Sequence, residues 1–178
     1  MKNISIIGDG AMGTVCAMLL CEKGFSVRMW GYDAAQLALF EEQRENVKFL
    51  PGHKLPDDLR FESRDSEILK GADLIVSAVP CQFMRNIWKR FSAHVNPEIP
   101  IVSVAKGIEN ETLLRPSQIV NDVLGPKVKV VALSGPTIAE EIANKLPATA
   151  TAASKDERLT GSVQEVFNTH YLRVYRNS

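Results

Sequence analysis

The stretch IGDGAMGT carries three glycines, Gly8, Gly10 and Gly13, in the spacing G-x-G-x-x-G. They stand between an apolar run fit for a strand and a segment of good helix formers. In that context Gly8 allows a tight turn, Gly10 lets a pyrophosphate approach the backbone, and Gly13 permits close packing of helix on strand. The free amides at the helix start would then donate to phosphate oxygens. A second candidate is Lys106 in IPIVSVAKGIE, where a run of β-branched and small apolar residues, reading as a strand buried on both faces, ends in a lysine beside a glycine. An unpaired buried ammonium is costly, so Lys106 is either a solvated charge at a strand end or part of a site. A third is Ser134-Gly135-Pro136-Thr137, after another apolar run. Its hydroxyl and amides suit an anion, or else Ser134 and Thr137 cap the following helix with Glu140 in a capping box. Glu140 and Glu141 fall in the first turn, where they complement the helix dipole.

The run VRMWGYD places Asp33 twenty positions after Gly13, where a dinucleotide fold meets the adenosine ribose. Asp33 could equally cap the helix of DAAQLALF, leaving ribose contact to Tyr32 or a neighbouring amide. Position 32 is not basic, and Arg28 is expected to point sideways from within its strand. NAD is therefore favoured, with NADP as the alternative.

These positions need elements to hold them. Apolar, partly β-branched runs alternate with segments of helical spacing, which favours parallel βαβ units over a sandwich. Strands are expected near residues 3–7, 26–30, 59–61, 73–78, 99–104, 128–133, 147–152 and 171–175. Helices are expected near 11–23, 33–43, 81–92, 112–124, 137–144 and 155–168, with Gly24, Gly71 and Gly125 at helix ends or the turns after them. ENVKFLPGHKLPDDL, with two prolines and a glycine, reads as an extended loop over the sheet. In LIVSAVPCQFMRNIW, a buried strand ends at Pro80 on the same edge as the glycine turn, and Phe83, Ile87, Trp88 and Phe91 read as the core face of the next helix. Lys106 is directed by this topology toward the same edge, where open parallel sheets bind ligands.

Composition agrees with a soluble α/β domain of 178 residues: 45% hydrophobic and 24% charged, with 21 Lys and Arg against 21 Asp and Glu. The balance gives no field favouring nucleic acid or an anionic membrane. Apolar runs are strand-length, short of the roughly 20 residues of a membrane span, and MKNISIIGDG lacks the apolar core of a secretory signal. Cys16, Cys21 and Cys81 show no CxxC spacing and read as reduced thiols of a cytoplasmic protein, while His53, His94 and His170 are isolated, so no metal site is expected.

Taken in order, IGDGAMGT, VRMWGYD, FLPGHKLP, SAVP, VAKGIE, LSGPTIAEEIA and YLRVYRNS resemble the N-terminal domain of the soluble bacterial NAD(P)-dependent glycerol-3-phosphate dehydrogenases. The resemblance runs across essentially the whole chain. It implies a Rossmann-type, doubly wound and mostly parallel sheet with helices on both faces, in a cytoplasmic oxidoreductase of glycerophospholipid metabolism, with a homodimer as the expected parent. The activity implied is interconversion of sn-glycerol 3-phosphate and dihydroxyacetone phosphate by hydride transfer. Carried onto this chain, Gly8, Gly10, Ala11, Met12, Gly13, Trp30, Tyr32, Pro80, Lys106 and Ala139 lie at the cofactor. Lys106, Gly135 and Thr137 meet the substrate, and Lys106 bridges the two ligands.

Departures accompany the match. Met12 stands where the family commonly has an aromatic residue, Ala11 lacks the usual hydroxyl, and Ile138 replaces a customary phenylalanine. The family's proton-transferring lysine and an arginine-asparagine motif for the substrate phosphate belong to a helical second domain that these 178 residues do not include. Residues 1–178 are thus expected to be a single dinucleotide-binding domain, a fragment whose own competence is cofactor binding. A ketopantoate or hydroxyacid reductase, and a non-catalytic nucleotide-binding module, stay as alternatives.

Overall fold

The computed structural model describes residues 1–177. The elements, in chain order, are β1 (Asn3–Ile7), α1 (Ala11–Glu22), β2 (Ser26–Trp30), α2 (Ala34–Gln43), β3 (Glu45–Asn46), β4 (Leu50–Lys54), β5 (Arg60–Phe61), α3 (Asp65–Ile68), β6 (Leu74–Ser77), α4 (Cys81–Phe91), β7 (Ile101–Ser103), α5 (Pro116–Leu124), β8 (Val130–Ser134), α6 (Ala139–Ala143), β9 (Ala148–Ala153), α7 (Glu157–Phe167) and β10 (Leu172–Asn177). Eight strands form one sheet in the order β10-β9-β8-β7-β6-β1-β2-β5. Every pairing is parallel except β8 with β9, as the alternating pattern implied. No helix is long and apolar enough to cross a membrane among the described residues.

The central strands are buried on both faces because helices cover both. One core layer joins Ile4, Ile6 and Val76 to α1, α6 and α7 through Leu20, Ile142 and Phe167. The other joins Ile7, Ile75 and Ile101 to α3, α4 and α5 through Ile68, Trp88, Phe91 and Ile119. The inward stripe of α4 is Met84, Ile87, Trp88 and Phe91, whereas Phe83, expected in the core, is 62% exposed. One residue of offset turns a side chain about 100° around a helix, which takes Phe83 off the stripe.

Several boundaries differ from the sequence pattern for local reasons. Helix α5 begins at Pro116, because Leu113 has φ 58° and proline is a good first residue but a poor interior one. The short α3 and the full length of β10 lacked a periodic signal long enough to find them. Residues 45–54, expected as a loop, instead form the antiparallel hairpin of β3 and β4. Its one proline, Pro51, is tolerated because a two-stranded ribbon is all edge.

That hairpin is tied to the glycine-rich turn by one side chain. Asn46 is fully buried, and its Nδ2 donates to the Asp9 carbonyl at 2.9 Å and to Thr14 Oγ1 at 2.7 Å. Its Oδ1 accepts the Phe49 amide at 3.1 Å, so both ends of the amide are used. Asn46→Ala should lower unfolding free energy by about 2–3 kcal/mol, since it takes the donor from the Asp9 carbonyl and from Thr14 Oγ1 in one step, leaving the Thr14 hydroxyl only its bond to the Gly10 carbonyl. A urea titration showing a loss under about 0.5 kcal/mol would remove the tether from the account.

Candidate functional site

Strands β1, β2, β6, β7 and β8 run the same way, so the glycine turn, Tyr32, Pro80, Lys106 and Gly135 all emerge at one edge of the sheet. The chain winds outward from β1 toward β2 and β5 on one side and from β6 toward β8 on the other. The β1/β6 boundary is therefore the switch point at which open α/β sheets form a ligand crevice.

At that boundary the three motif glycines do different work. Gly8 has φ 117°, and a side chain there would place its first carbon 2.7 Å from the Ala78 carbonyl oxygen. Gly13 lies so close to the Gly8 carbonyl that a β-carbon would collide with it, which seats α1 on the turn. Gly10 has open space where a β-carbon would go, so packing does not demand glycine there. Free space over Gly10 is what an approaching pyrophosphate would need.

Gly10 is also the N-cap of α1, with no side-chain cap and no acidic residue in the first turn. The first α1 amides are left to face the crevice with the positive end of a twelve-residue helix dipole. Ala11 is half-buried at the start of α1. Met12 packs inward, lining a narrow apolar void with Val104, Leu133, Thr137 and Ile142, and Ala139 packs against the same core layer.

The end of β2 divides into buried and exposed parts. Trp30 is 1% exposed, its indole N–H reaches the Ser63 carbonyl at 3.2 Å and Asp65 Oδ1 at 3.1 Å, and its own carbonyl accepts the Gly8 amide at 2.9 Å. Its ring belongs to the core. Tyr32 is 74% exposed and free to meet a ligand. Asp33 caps α2, accepting from the Ala35 amide at 2.9 Å and the Gln36 amide at 3.4 Å. Arg28 does point sideways, to the carbonyls of Glu67 and Lys70. Arg90 lies 5.0 Å from the Trp30 ring and 5.6 Å from the Tyr32 ring, paired through both its nitrogens Nε and Nη2 with Asp65.

On the other side of the switch point, the Lys106 ammonium donates to the Gly135 carbonyl at 3.1 Å and to the Thr137 carbonyl at 3.0 Å. Three positions singled out separately in the sequence thus converge. An ammonium has three N–H groups, so one remains to point elsewhere. Gly135 is forced by packing as well, since a side chain would run into the backbone at Thr149 and Ala150 of β9. The capping box expected from Ser134, Thr137 and Glu140 does not form: the N-cap of α6 is Ile138, with no side-chain bond, and Ser134 is exposed. Thr137 turns its amide and hydroxyl back to the Gly135 carbonyl instead, at 2.8 and 3.3 Å.

The loop carrying Lys106 is anchored by residues that the motif reading passed over. Gly107 has φ 102°, a turn that side chains resist. Two residues on, Glu109 is 8% exposed and receives Arg85 at 3.0 Å from Nε and 2.9 Å from Nη2. Arg85 also reaches Asp122 of α5 at 2.6 Å. The Arg85 guanidinium and the Thr112 hydroxyl hold the Glu109 carboxyl below the usual carboxylate range. The pairing was not visible because its members are 24 residues apart.

Asp9 was passed over too, being an unassigned position inside the glycine motif. It is half-buried, and desolvation pushes its carboxyl above the usual range despite its own backbone amide and nearby Lys48. Cys16 and Cys21 are buried thiols pushed up to about 12 by desolvation. Among the described residues no group of three or more His, Cys, Asp or Glu side chains could hold a metal ion.

Comparison with known proteins accounts for this combination. The family model described as NAD-dependent glycerol-3-phosphate dehydrogenase N-terminus matches residues 3–160. A glycerol-3-phosphate dehydrogenase of NAD(P)+ type from Citrifermentans bemidjiense is 40% identical over 179 aligned residues, covering 99% of this chain and 53% of the relative. The crystal structure of glycerol-3-phosphate dehydrogenase from Coxiella burnetii superposes with TM-score 0.90 at 26% identity, over 99% of this chain and 54% of that one. A pyrroline-5-carboxylate reductase from the same organism, TM-score 0.74 at 15% identity, shares the fold alone. The chain spans about half the length of the curated relatives it matches. With nearly all its length on the family model and its switch-point edge built from the expected motifs, the chain belongs to the NAD-dependent glycerol-3-phosphate dehydrogenase N-terminal family.

Proposed function

We infer that residues 1–178 are the dinucleotide-binding domain of a dehydrogenase that interconverts sn-glycerol 3-phosphate and dihydroxyacetone phosphate. The observation that carries the reading is the convergence of Lys106 on the Gly135 and Thr137 carbonyls, on the same sheet edge as an uncapped α1 behind an open Gly10. A bound nicotinamide dinucleotide would supply the acceptor or donor of hydride. The chain's own part is to receive the pyrophosphate on the α1 amides, with Gly8 and Gly13 fixing the turn and Tyr32 and Pro80 bordering the crevice. Lys106 then presents its remaining N–H to the substrate, holding negative charge on the oxygen that becomes carbonyl or alkoxide, or on the phosphate.

NAD is favoured over NADP in this reading. Position 32 offers no positive charge, Arg28 is committed to α3, and Arg90 is already neutralised by Asp65. Lys2 precedes β1 and so stands at the opposite end of the sheet.

Two measurements test the reading. The 178-residue chain should bind NADH, and Gly10→Val should abolish that binding while leaving the melting temperature within about 2 °C, because a β-carbon at this position has no protein atom within 4 Å and enters the space a pyrophosphate would need. Equal titration curves for the two chains would end the assignment of the turn. In a protein of the relatives' full length that carries this half, Lys106→Met should lower kcat/KM for dihydroxyacetone phosphate by about 10²-fold or more, as expected for loss of one preorganised charge. Near-normal turnover by a folded Lys106→Met variant would reduce Lys106 to a strand-end charge.

A further inference from the structure

The sequence pattern offered Asp33 either as the acid for the adenosine ribose or as the cap of α2, and Asp33 does cap α2, its Oδ1 accepting the Ala35 and Gln36 amides. A different carboxylate stands in the crevice. The Asp9 side chain leaves the glycine turn and lies flat against the α-carbon of Gly31, the first residue after β2. A β-carbon on Gly31 would fall 2.5 Å from Asp9 Oδ2, 2.7 Å from its Cγ and 3.0 Å from its Cβ. Gly31 is therefore glycine because Asp9 occupies the volume of a side chain there. Among the described residues no side chain donates to this carboxylate: its own backbone amide lies against it, and Asn46 fixes only the Asp9 carbonyl. The charged groups that act on it are Lys48, which favours its ionised form, and Asp33, which opposes it.

We propose that Asp9 is the residue that selects the ribose end of the dinucleotide, accepting the vicinal hydroxyls of an unphosphorylated adenosine ribose and repelling a 2′-phosphate. The assignment rests on the dinucleotide reading above. The crevice between the glycine turn and the end of β2 is where a doubly wound fold places that ribose. A carboxylate with unused lone pairs there meets two O–H donors from the diol, whereas a phosphate carrying ~1.5 to 2 negative charges meets the like charges of Asp9 and Asp33, with Lys48 the cation that acts on Asp9. Exposed Asp33, two residues after Gly31, adds to the repulsion without needing to touch the ligand.

The test is to titrate NADH and NADPH into the 178-residue chain and its Asp9→Asn and Asp33→Asn variants. Asn caps helices as well as Asp, so Asp33→Asn changes charge while keeping the start of α2. The unmodified chain should favour NADH. Asp9→Asn should weaken NADH about tenfold while leaving NADPH unchanged or tighter, moving the affinity ratio at least about tenfold toward NADPH. Asp33→Asn should move it by less than about threefold. A ratio within about twofold of the unmodified chain for Asp9→Asn, or a shift carried by Asp33→Asn instead, overturns the assignment. Failure of the unmodified chain to bind either dinucleotide overturns the dinucleotide reading itself, which is a different outcome.

A thermal melt guards against misfolding. Because the folded carboxyl of Asp9 titrates above its unfolded value of about 3.9, ionising it costs stability as pH rises from there through the folded value. Asp9→Asn removes that cost, so at pH 7 it should melt no lower than the unmodified chain. A lower melting temperature would show that Asp9 supports the turn rather than the ligand.

Discussion

Backbone meets backbone at the switch point, and the rest of the molecule is arranged around that contact. Three chain segments converge there with no room for side chains between them: the Gly8 turn, the Ala78 segment after β6, and the start of α1 at Gly13. The Gly8 amide is held by the Trp30 carbonyl and the Ala78 amide by the Ile7 carbonyl, so β1, β2 and β6 are locked at the same level. A turn this tight leaves the α1 amides directed outward instead of into a capping side chain. The fold and its anion-binding capacity therefore share one cause.

How much of this was legible depended on how far apart in the chain the cooperating residues lie. Strands such as Leu74–Ser77 and helices such as Cys81–Phe91 declare themselves because burial on both faces, or on one stripe, leaves a periodic record in the sequence. The glycine motif is legible for the same reason, since all of its parts fall within six residues. The hairpin at residues 45–54 was not, because Asn46 acts through its contacts with Asp9 and Thr14 more than thirty residues earlier. Asp9 was hidden in another way: it sits inside the motif at a position the motif leaves free, and only the adjacent Gly31 shows what its side chain occupies.

The Lys106 segment shows a similar division of labour. Its position was readable from a strand that ends at the ligand edge, but its orientation depends on groups outside the strand. The Gly135 and Thr137 carbonyls hold the ammonium, and the Arg85–Glu109 pair pins the turn beyond it to α4 and α5. A charge held by neutral carbonyls keeps its electrostatic reach, whereas a charge matched to a carboxylate, as in Arg90 with Asp65, is spent locally. Lys106 and Arg90 are thus differentiated by their partners and not by residue type alone.

The reversal of direction at β9 governs where the molecule can be joined to something else. Because β10 follows β9 in running against β8, Asn177 pairs with Ala153, which stands opposite Ala132, itself the partner of Ser103. The last described residue is therefore level with Ser103, Ser77 and Ile7, the final residues of β7, β6 and β1, and three strand spacings or about 14 Å across from β7. It travels away from Lys106. A surface linker, dye or affinity handle attached there leaves the crevice unobstructed.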